Sequence, residues 1–465
     1  MLIAACFLVG RLSGLLLDAT PRFFLGDSGS YLETALTGWV PPDRSYLYGL
    51  LLRGLFNFWP TLTAVVLLQS LAGVLTGIIF WATLRLRLHV GRWTSAVLTG
   101  LFFLDPFVLY YERAVLTESL SLLFFSAFIY FMLGAMARDC TTRYWHFFAV
   151  ELCAWGVVLV RQSFLPYVVV ALIFMVGVIA WRARSTSDGT RWFFRWCSRM
   201  FLGGLLVGVF VGGLSIYSQI VSRVHGCPAQ LSRADGYFLS AYYAPIITPE
   251  LVEDDELRRL IFTEPRHPMA DPDYFLQRMF SPDGMIDRVL TKYHGDPTAE
   301  KNRVLKRIAL RALVRHPIGA GRIVLGTLRD YFDLNKIEAS LYTALSMNLE
   351  LSNKQKERYQ ASLGLAYNRC GDSFLTQTLL HSSYLQLLRP ILSVFAFLCI
   401  FVWGAYSAEA LLLFLTPVLL LGLNCAMTLM DVRYLHAHSL VILLAIGCAF
   451  HCFRLVKTRN IFPKI

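Results

Sequence analysis

Three polar stretches interrupt otherwise apolar sequence and hold the side chains best suited to chemistry. They are Leu25-Gly26-Asp27-Ser28-Gly29-Ser30-Tyr31-Leu32, Tyr110-Tyr111-Glu112-Arg113-Ala114-Val115-Leu116-Thr117-Glu118 and Met430-Asp431-Val432-Arg433-Tyr434. Asp27, flanked by Gly26 and Gly29, can approach a ligand closely and take a proton from an acceptor hydroxyl or amine. Glu112 or Glu118 then serves with it, either as the second member of an acid/base pair or as co-ligand of a divalent cation. The spacing favours neither. Arg161 and Arg433 offer guanidiniums that can grip a phosphate through paired hydrogen bonds. Tyr31, Tyr434 and His436 neighbour these groups and join the candidate binding set. His436 and His438 suit phosphate binding or proton transfer better than a metal, because a spacing of two is not the i, i+4 ligand pair of a helix.

Each of these residues also has an ordinary explanation. Asp27 makes a good helix N-cap, and Ser30 with Glu33 fits a capping box. Glu118 in a first helical turn suits the helix dipole. Glu112 can pair with Arg113 or a headgroup, and an interfacial arginine commonly snorkels. Position argues for more. Acidic groups at the edge of hydrocarbon are costly unless they are paired or used, and here three polar stretches stand where apolar segments end.

The elements that must position them are membrane helices. The chain has 465 residues, 56% hydrophobic and only 16% charged, where a soluble protein carries about a quarter charged residues. Ten apolar runs approach the ~20 residues that cross a bilayer: 2–17, 61–84, 93–111, 116–137, 144–160, 163–181, 200–220, 387–405, 408–428 and 437–454. The first is read as a retained helix, since it lacks a basic leader and Asp18-Ala19-Thr20-Pro21 is a poor cleavage site. The net charge of +12 sits in short loops, which points to topology and away from nucleic acid. With both termini cytoplasmic, the inner connections hold Arg85, Arg87, Arg92, Arg138, Arg143, a run of five arginines from Arg182 to Arg199, and the basic tail. The short outer connections hold Arg22, Arg44, Arg53, Arg113, Arg161 and Arg433. That bias fits a multi-pass protein of the inner membrane. Asp105-Pro106, inside the third run, marks either a kink or part of a cleft floor.

The fold class expected is therefore an all-α polytopic membrane protein. About ten transmembrane helices carry an external, mostly helical domain inserted before the last three. Residues 1–221 form the first bundle, with an external loop over 18–60 whose part from Tyr46 to Trp59 lies in the interface as a helix. Residues 222–386 form the external domain, nearly neutral at 21 Lys/Arg against 19 Asp/Glu. Within it, Lys301 to Tyr331 alternates basic and apolar residues at helical spacing, broken at His316-Pro317. Residues 387–465 complete the bundle and end in a short cytoplasmic tail. Cys227 and Cys370 are the two cysteines of the external domain, and an oxidising exterior would join them as a disulfide at its base.

No nucleotide-binding loop, dinucleotide fingerprint, CxxC or HExxH is present. The carboxylate after the first span, the acidic turn between spans three and four, "RQSFLP" at the sixth span and "RYL" before the last span together resemble the GT-C superfamily of integral-membrane glycosyltransferases. The likeness is greatest to bacterial relatives of the dolichyl-phosphate-mannose protein mannosyltransferases and the aminoarabinose transferases. The resemblance implies a polyprenyl-phosphate-linked sugar donor and transfer to a glycan, lipid or protein acceptor on the non-cytoplasmic face. It further implies Asp27 as catalytic base, Glu112 or Glu118 as second acidic site, and Arg161 and Arg433 on the donor phosphate. Ser28 stands where many relatives have a second acid, which bears on metal use. The competing expectation is a transporter or flippase of a lipid-linked or amphipathic substrate, marked by ionisable residues within spans or by repeated halves with broken helices. In this chain the charges gather at span ends, Arg11 and Asp105 excepted. A third class is an assembly subunit whose external domain binds a partner.

Overall fold

A computed structural model describes residues 2–18, 20–137, 143–184, 191–227, 229–262, 275–293, 298–345, 353–363, 374–401, 407–428 and 430–458. These residues are almost wholly helical. One isolated parallel bridge, between Arg22 and Ala114, provides the extended pairing among them. The chain divides into two compact units. The first comprises residues 1–216, 337–421 and 431–465, and the second residues 217–336 and 422–430.

The first unit begins with α1 (Leu2–Leu17), α2 (Leu25–Thr37), α3 (Tyr46–Phe58), α4 (Leu62–Ala82), α5 (Arg92–Phe103), α6 (Pro106–Tyr111), α7 (Glu118–Met136), α8 (Arg143–Val160) and α9 (Leu165–Arg184). A 35-residue helix, α10 (Arg191–His225), leads into the second unit. There follow α11 (Asp235–Tyr242), α12 (Asp255–Phe262), α13 (Phe275–Phe280), α14 (Met285–Lys292), α15 (Thr298–Arg315) and α16 (Pro317–Asp330). The chain then passes through α17 (Leu334–Ala344), α18 (Asn353–Leu363), α19 (Phe374–Leu380), α20 (Ser383–Cys399), α21 (Ala408–Met427) and α22 (His438–Thr458).

Six helical segments are long and apolar enough to cross a membrane: Leu62–Arg87, Glu118–Met136, Gln162–Arg182, Met200–His225, Ala408–Met427 and Val432–Phe453. Trp145–Val160 and Ser383–Cys399 are apolar but shorter. The protein is a polytopic helical membrane protein. The run at 93–111 is not one helix. Pro106 has no N–H to donate and its ring crowds the preceding turn, so α5 ends at Phe103. Asp105 then caps α6, accepting from the Phe107 N–H at 2.8 Å.

Asp105 holds more than the cap. Both its carboxylate oxygens accept from Arg389 of α20, at 2.8 and 2.7 Å, and the Ser439 hydroxyl donates to it. The helix break thus carries a charge that the neighbouring helix neutralises. Arg11 of α1 is also buried and meets Glu112 at 3.0 Å. Glu112 packs against α4 at Gly73, where an added Cβ would stand 1.9 Å from Oε1. Only a residue without a side chain leaves room for that carboxylate.

The second unit has its own core. Tyr237, Ala241, Leu257, Ile261, Val289, Leu305 and Ile308 are buried together. Asn302 of α15 accepts from the backbone N–H groups of Gly236 and Tyr237, and Tyr242 donates to the Cys425 carbonyl at 2.6 Å. The compact boundary differs from the expected 222–386 domain, because described residues after 336 make contacts inside the first unit. Arg358 pairs with Glu33 at 2.7 Å, the Tyr110 hydroxyl donates to the Ala344 carbonyl, and Arg22 donates to Thr376. Cys370 lies outside the described residues, and so does the expected Cys227–Cys370 bond.

Candidate functional site

The site is assembled from the ends of α2, α7, α8 and α22. The α2 helix starts earlier than a cap at Asp27 would require. Phe24 occupies the N-cap position with extended backbone, and its N–H donates to the Ser28 hydroxyl at 2.9 Å. Asp27 therefore sits inside the first turn with its carboxylate free of capping. Ser30 and Glu33 do not form a capping box. The Ser30 hydroxyl donates to the Gly26 carbonyl and accepts from Arg44, while Glu33 holds Arg358. Gly38, at φ +79°, ends α2 in the left-handed region that glycine adopts without strain. The chain then turns back so that Arg44 faces Asp27.

Two loops are tied together beneath this turn. The Arg22 N–H donates to the Arg113 carbonyl and the Val115 N–H to the Arg22 carbonyl, both at 2.9 Å. The Gln69 amide donates to the Ala114 carbonyl, and Ser45 donates to the Leu159 carbonyl at the end of α8. These bonds fix the loop before Glu118 and the residues before Arg161 relative to α2 and α3. Asp431 caps the short 3-10 turn Val432–Leu435 by accepting from the Arg433 N–H at 2.8 Å. That cap aims the Arg433 side chain.

The result is one ionic network. Asp27 accepts from Arg44 at 2.5 Å through one carboxylate oxygen and from Arg433 through the other. Glu118 pairs with Arg161, and the Nε of Arg433 stands 3.7 Å from Glu118 and 3.6 Å from Asp431. Arg433 lies over the Phe24 ring at 4.4 Å, and both Arg433 and Arg161 lie 5.5 Å from the Tyr434 ring. Arg44 also pairs with the neighbouring Asp43 at 3.3 Å, so four carboxylates surround three guanidiniums. They differ in access: the Glu118 side chain is 1% exposed, whereas Asp27 is 16% and Arg44 19% exposed. Asp431, at 26%, is also partly open, so an entering molecule meets Asp27, Arg44 and Asp431 before Glu118.

Burial disfavours the charged form of Asp27, but Arg433 and Arg44 outweigh it and hold the carboxyl below the usual carboxylate range. Burial pushes Asp431 up, against the opposing pull of Arg433. Burial also pushes the Tyr31 phenol up, reinforced by the charges of Asp27 and Glu118, so Tyr31 stays a neutral donor. Its ring stands edge-on to Tyr48 at 4.8 Å.

The network joins Asp27, Glu118, Arg161, Arg433 and Tyr434 of the expected set and brings Tyr31 beside them. Glu112 is directed elsewhere, toward Arg11. His436 turns one ring nitrogen to the Arg433 carbonyl at 2.9 Å and lines a small cavity with Tyr111, Glu112, Glu118 and Ser119. His438 is buried. Arg44 and Asp431 were not among the expected site residues. Among the described residues no group of three His, Cys, Asp or Glu converges on a metal position. Asp27 and Glu118 already face guanidiniums, so this set does not fit a divalent cation.

Two solved structures are similar to this chain. The crystal structure of ArnT from Cupriavidus metallidurans in the apo state shares 16% identity at a TM-score of 0.34, over 99% of this chain and 78% of that one. The crystal structure of ArnT from Cupriavidus metallidurans bound to undecaprenyl phosphate shares 15% identity at a TM-score of 0.30, over the same shares. No family model and no curated protein matches the chain.

Proposed function

We propose that this protein transfers a sugar from a polyprenyl-phosphate donor to an acceptor on the non-cytoplasmic face of the membrane. The observation that carries the reading is the Asp27 carboxylate shared between two partly exposed guanidiniums, Arg44 and Arg433, at the ends of apolar helices. A lipid-linked phosphate has the charge and geometry to take those guanidiniums from Asp27. The sequence resemblance to GT-C glycosyltransferases points to Asp27 and Arg433, with Arg161 rather than Arg44 as the second arginine.

The chemistry follows from that exchange. Without donor, Asp27 is a stabilised anion and a weak base. When the donor phosphate draws Arg433 and Arg44 to itself, the carboxylate loses its cations and becomes more basic. Asp27 then takes the acceptor proton as the acceptor oxygen or nitrogen bonds to the anomeric carbon. The bond from that carbon to the phosphate oxygen breaks, and its electron pair leaves with the polyprenyl phosphate. Arg433 and Arg44 stabilise the charge that gathers there. Glu118 acts as a positioning residue that holds Arg161, and the Tyr434 ring keeps both guanidiniums in place.

Ten spans with both termini cytoplasmic would put the polar ends of α2, α7 and α22 on the outer side. Unit two and the residues before α20 would then serve acceptor recognition. The second reading, a transporter or flippase, draws on the ion pairs Arg11–Glu112, Asp105–Arg389 and Arg182–Glu409 within or beside apolar helices. Incubating purified protein with labelled polyprenyl-phosphate monosaccharides and membrane extract separates the two. Label transferred to an acceptor supports the transferase, whereas label moved between leaflets without transfer supports the transporter.

A further inference from the structure

Residues 301–329 hold eight Lys/Arg and no Asp/Glu. They make up most of α15 and α16 in the second unit, and the function proposed above gives none of these cations a role of its own. One face of α15 is core: Leu305, Ile308, Ala309 and Ala312 are buried. The opposite face carries Arg303, Arg307, Arg311 and Arg315, one per turn at i, i+4 spacing, all exposed. Arg303 and Arg311 have acidic partners in Glu300 and Glu253. Arg307, Arg322 and Arg329 form no ion pair among the described residues. A groove of about 850 Å³ is lined by the arginine row together with Glu250 and Glu253.

The exposed face is not merely basic. Val314 is 84% and Ile318 74% exposed, and Leu310 and Leu325 are exposed beside the arginines. On α16 the same mixture repeats as Ile318, Arg322, Leu325 and Arg329 along one side. A solvated charged face has no use for large aliphatic side chains between its cations. A soluble polyanion would satisfy the arginines and leave those side chains in water. Anionic lipid satisfies both, with phosphates for the guanidiniums and an acyl boundary for the aliphatic groups. The second unit is also tethered to lipid by sequence, because α10 contains the apolar segment Met200–His225 and enters the unit at Tyr217.

We propose that the outer face of α15 and α16 docks on the surface of an anionic lipid bilayer. Arg307, Arg315, Arg322 and Arg329 take lipid phosphates while Val314 and Ile318 enter the headgroup boundary. The attraction is to charge, so it weakens with salt.

The test uses the full chain in nanodiscs of phosphatidylcholine alone or of phosphatidylcholine with phosphatidylglycerol. An environment-sensitive fluorophore is placed at Val314 as a noncanonical amino acid, with a second preparation labelled at Glu256 on α12 as reference. The expected result is a blue shift at position 314 only in the phosphatidylglycerol discs, with quenching by nitroxide-labelled lipid headgroups and reversal by added salt. R307E/R322E/R329E should abolish the shift, and its thermal unfolding should match wild type because these arginines form no ion pair among the described residues. An emission at position 314 that is the same in both discs, whether in water or in lipid, overturns the proposal. So does a triple variant that folds and still shifts. If that variant misfolds, the salt response of the wild type decides: a shift that salt leaves unchanged overturns the proposal.

Discussion

Arg433 stands between two carboxylates, ion-paired with Asp27 and with its Nε 3.7 Å from Glu118. It is thus the link between the partly exposed acid at the start of α2 and the buried acid at the start of α7. A phosphate that takes Arg433 changes the surroundings of both acids at once.

Asp27→Asn should reduce transfer by roughly 10²–10⁴-fold, the usual contribution of a general base. It should not weaken donor binding, because Arg44 and Arg433 are released from their carboxylate and remain available to phosphate. Single-turnover rates and equilibrium donor binding measured on the same preparation check both halves.

Arg433→Ala should weaken donor binding by about tenfold or more, on the scale of a charge-assisted hydrogen bond of ~1.5–3 kcal/mol. Arg433→Lys should recover only part of the loss, since an ammonium cannot reproduce the planar fork that spans Asp27 and the rings of Phe24 and Tyr434. Binding isotherms for the three proteins decide this. Equal affinity for all three would remove Arg433 from the phosphate site.

The pH dependence has a definite sign. In the free protein Asp27 is held below the usual carboxylate range by Arg433 and Arg44. It therefore stays charged as pH falls, and the acid limb of kcat/KM, which reports the free enzyme, should lie below the usual carboxylate value. Donor phosphate removes the two cations, so Asp27 protonates at higher pH in the complex. The acid limb of kcat should lie above that of kcat/KM. The reverse order would contradict the exchange.

Gly73→Ala should destabilise the protein by about 1–3 kcal/mol, the usual cost of forcing volume into a packed interior. The added Cβ would stand 1.9 Å from the Glu112 carboxylate, which is itself held by Arg11. Thermal unfolding in detergent measures it, and an unchanged Tm would mean that Glu112 has room to move.

What the sequence made legible, and what it did not, has a physical basis. Asp27, Glu118, Arg161 and Arg433 stood out because ionisable groups beside hydrocarbon are costly and therefore rare. Arg44 follows Pro41-Pro42-Asp43 and reads as an ordinary polar loop. Only the reversal after Gly38 brings it to a residue 17 positions earlier. Arg11 and Glu112 are 101 positions apart, and no local pattern pairs them. The Asp105-Pro106 break was readable as a kink, but its partner Arg389 lies 284 positions later in an apolar helix. The capping box at Ser30–Glu33 failed because α2 starts two residues before Asp27, where Phe24 supplies the extended backbone. Length separates the six long apolar segments from the rest: α1 has 16 residues and α5 has 12, short of the ~20 that span a bilayer unaided.

The central claim is that one donor phosphate and Asp27 compete for Arg433. Its most direct test is the binding of a polyprenyl-phosphate monosaccharide to purified wild type, Asp27→Asn and Arg433→Ala, followed by turnover with membrane extract as acceptor. The account predicts binding by wild type and Asp27→Asn, weakened binding by Arg433→Ala, and full turnover by wild type alone. Turnover by Asp27→Asn at the wild-type rate, or no binding of any polyprenyl phosphate by the wild type, would contradict it.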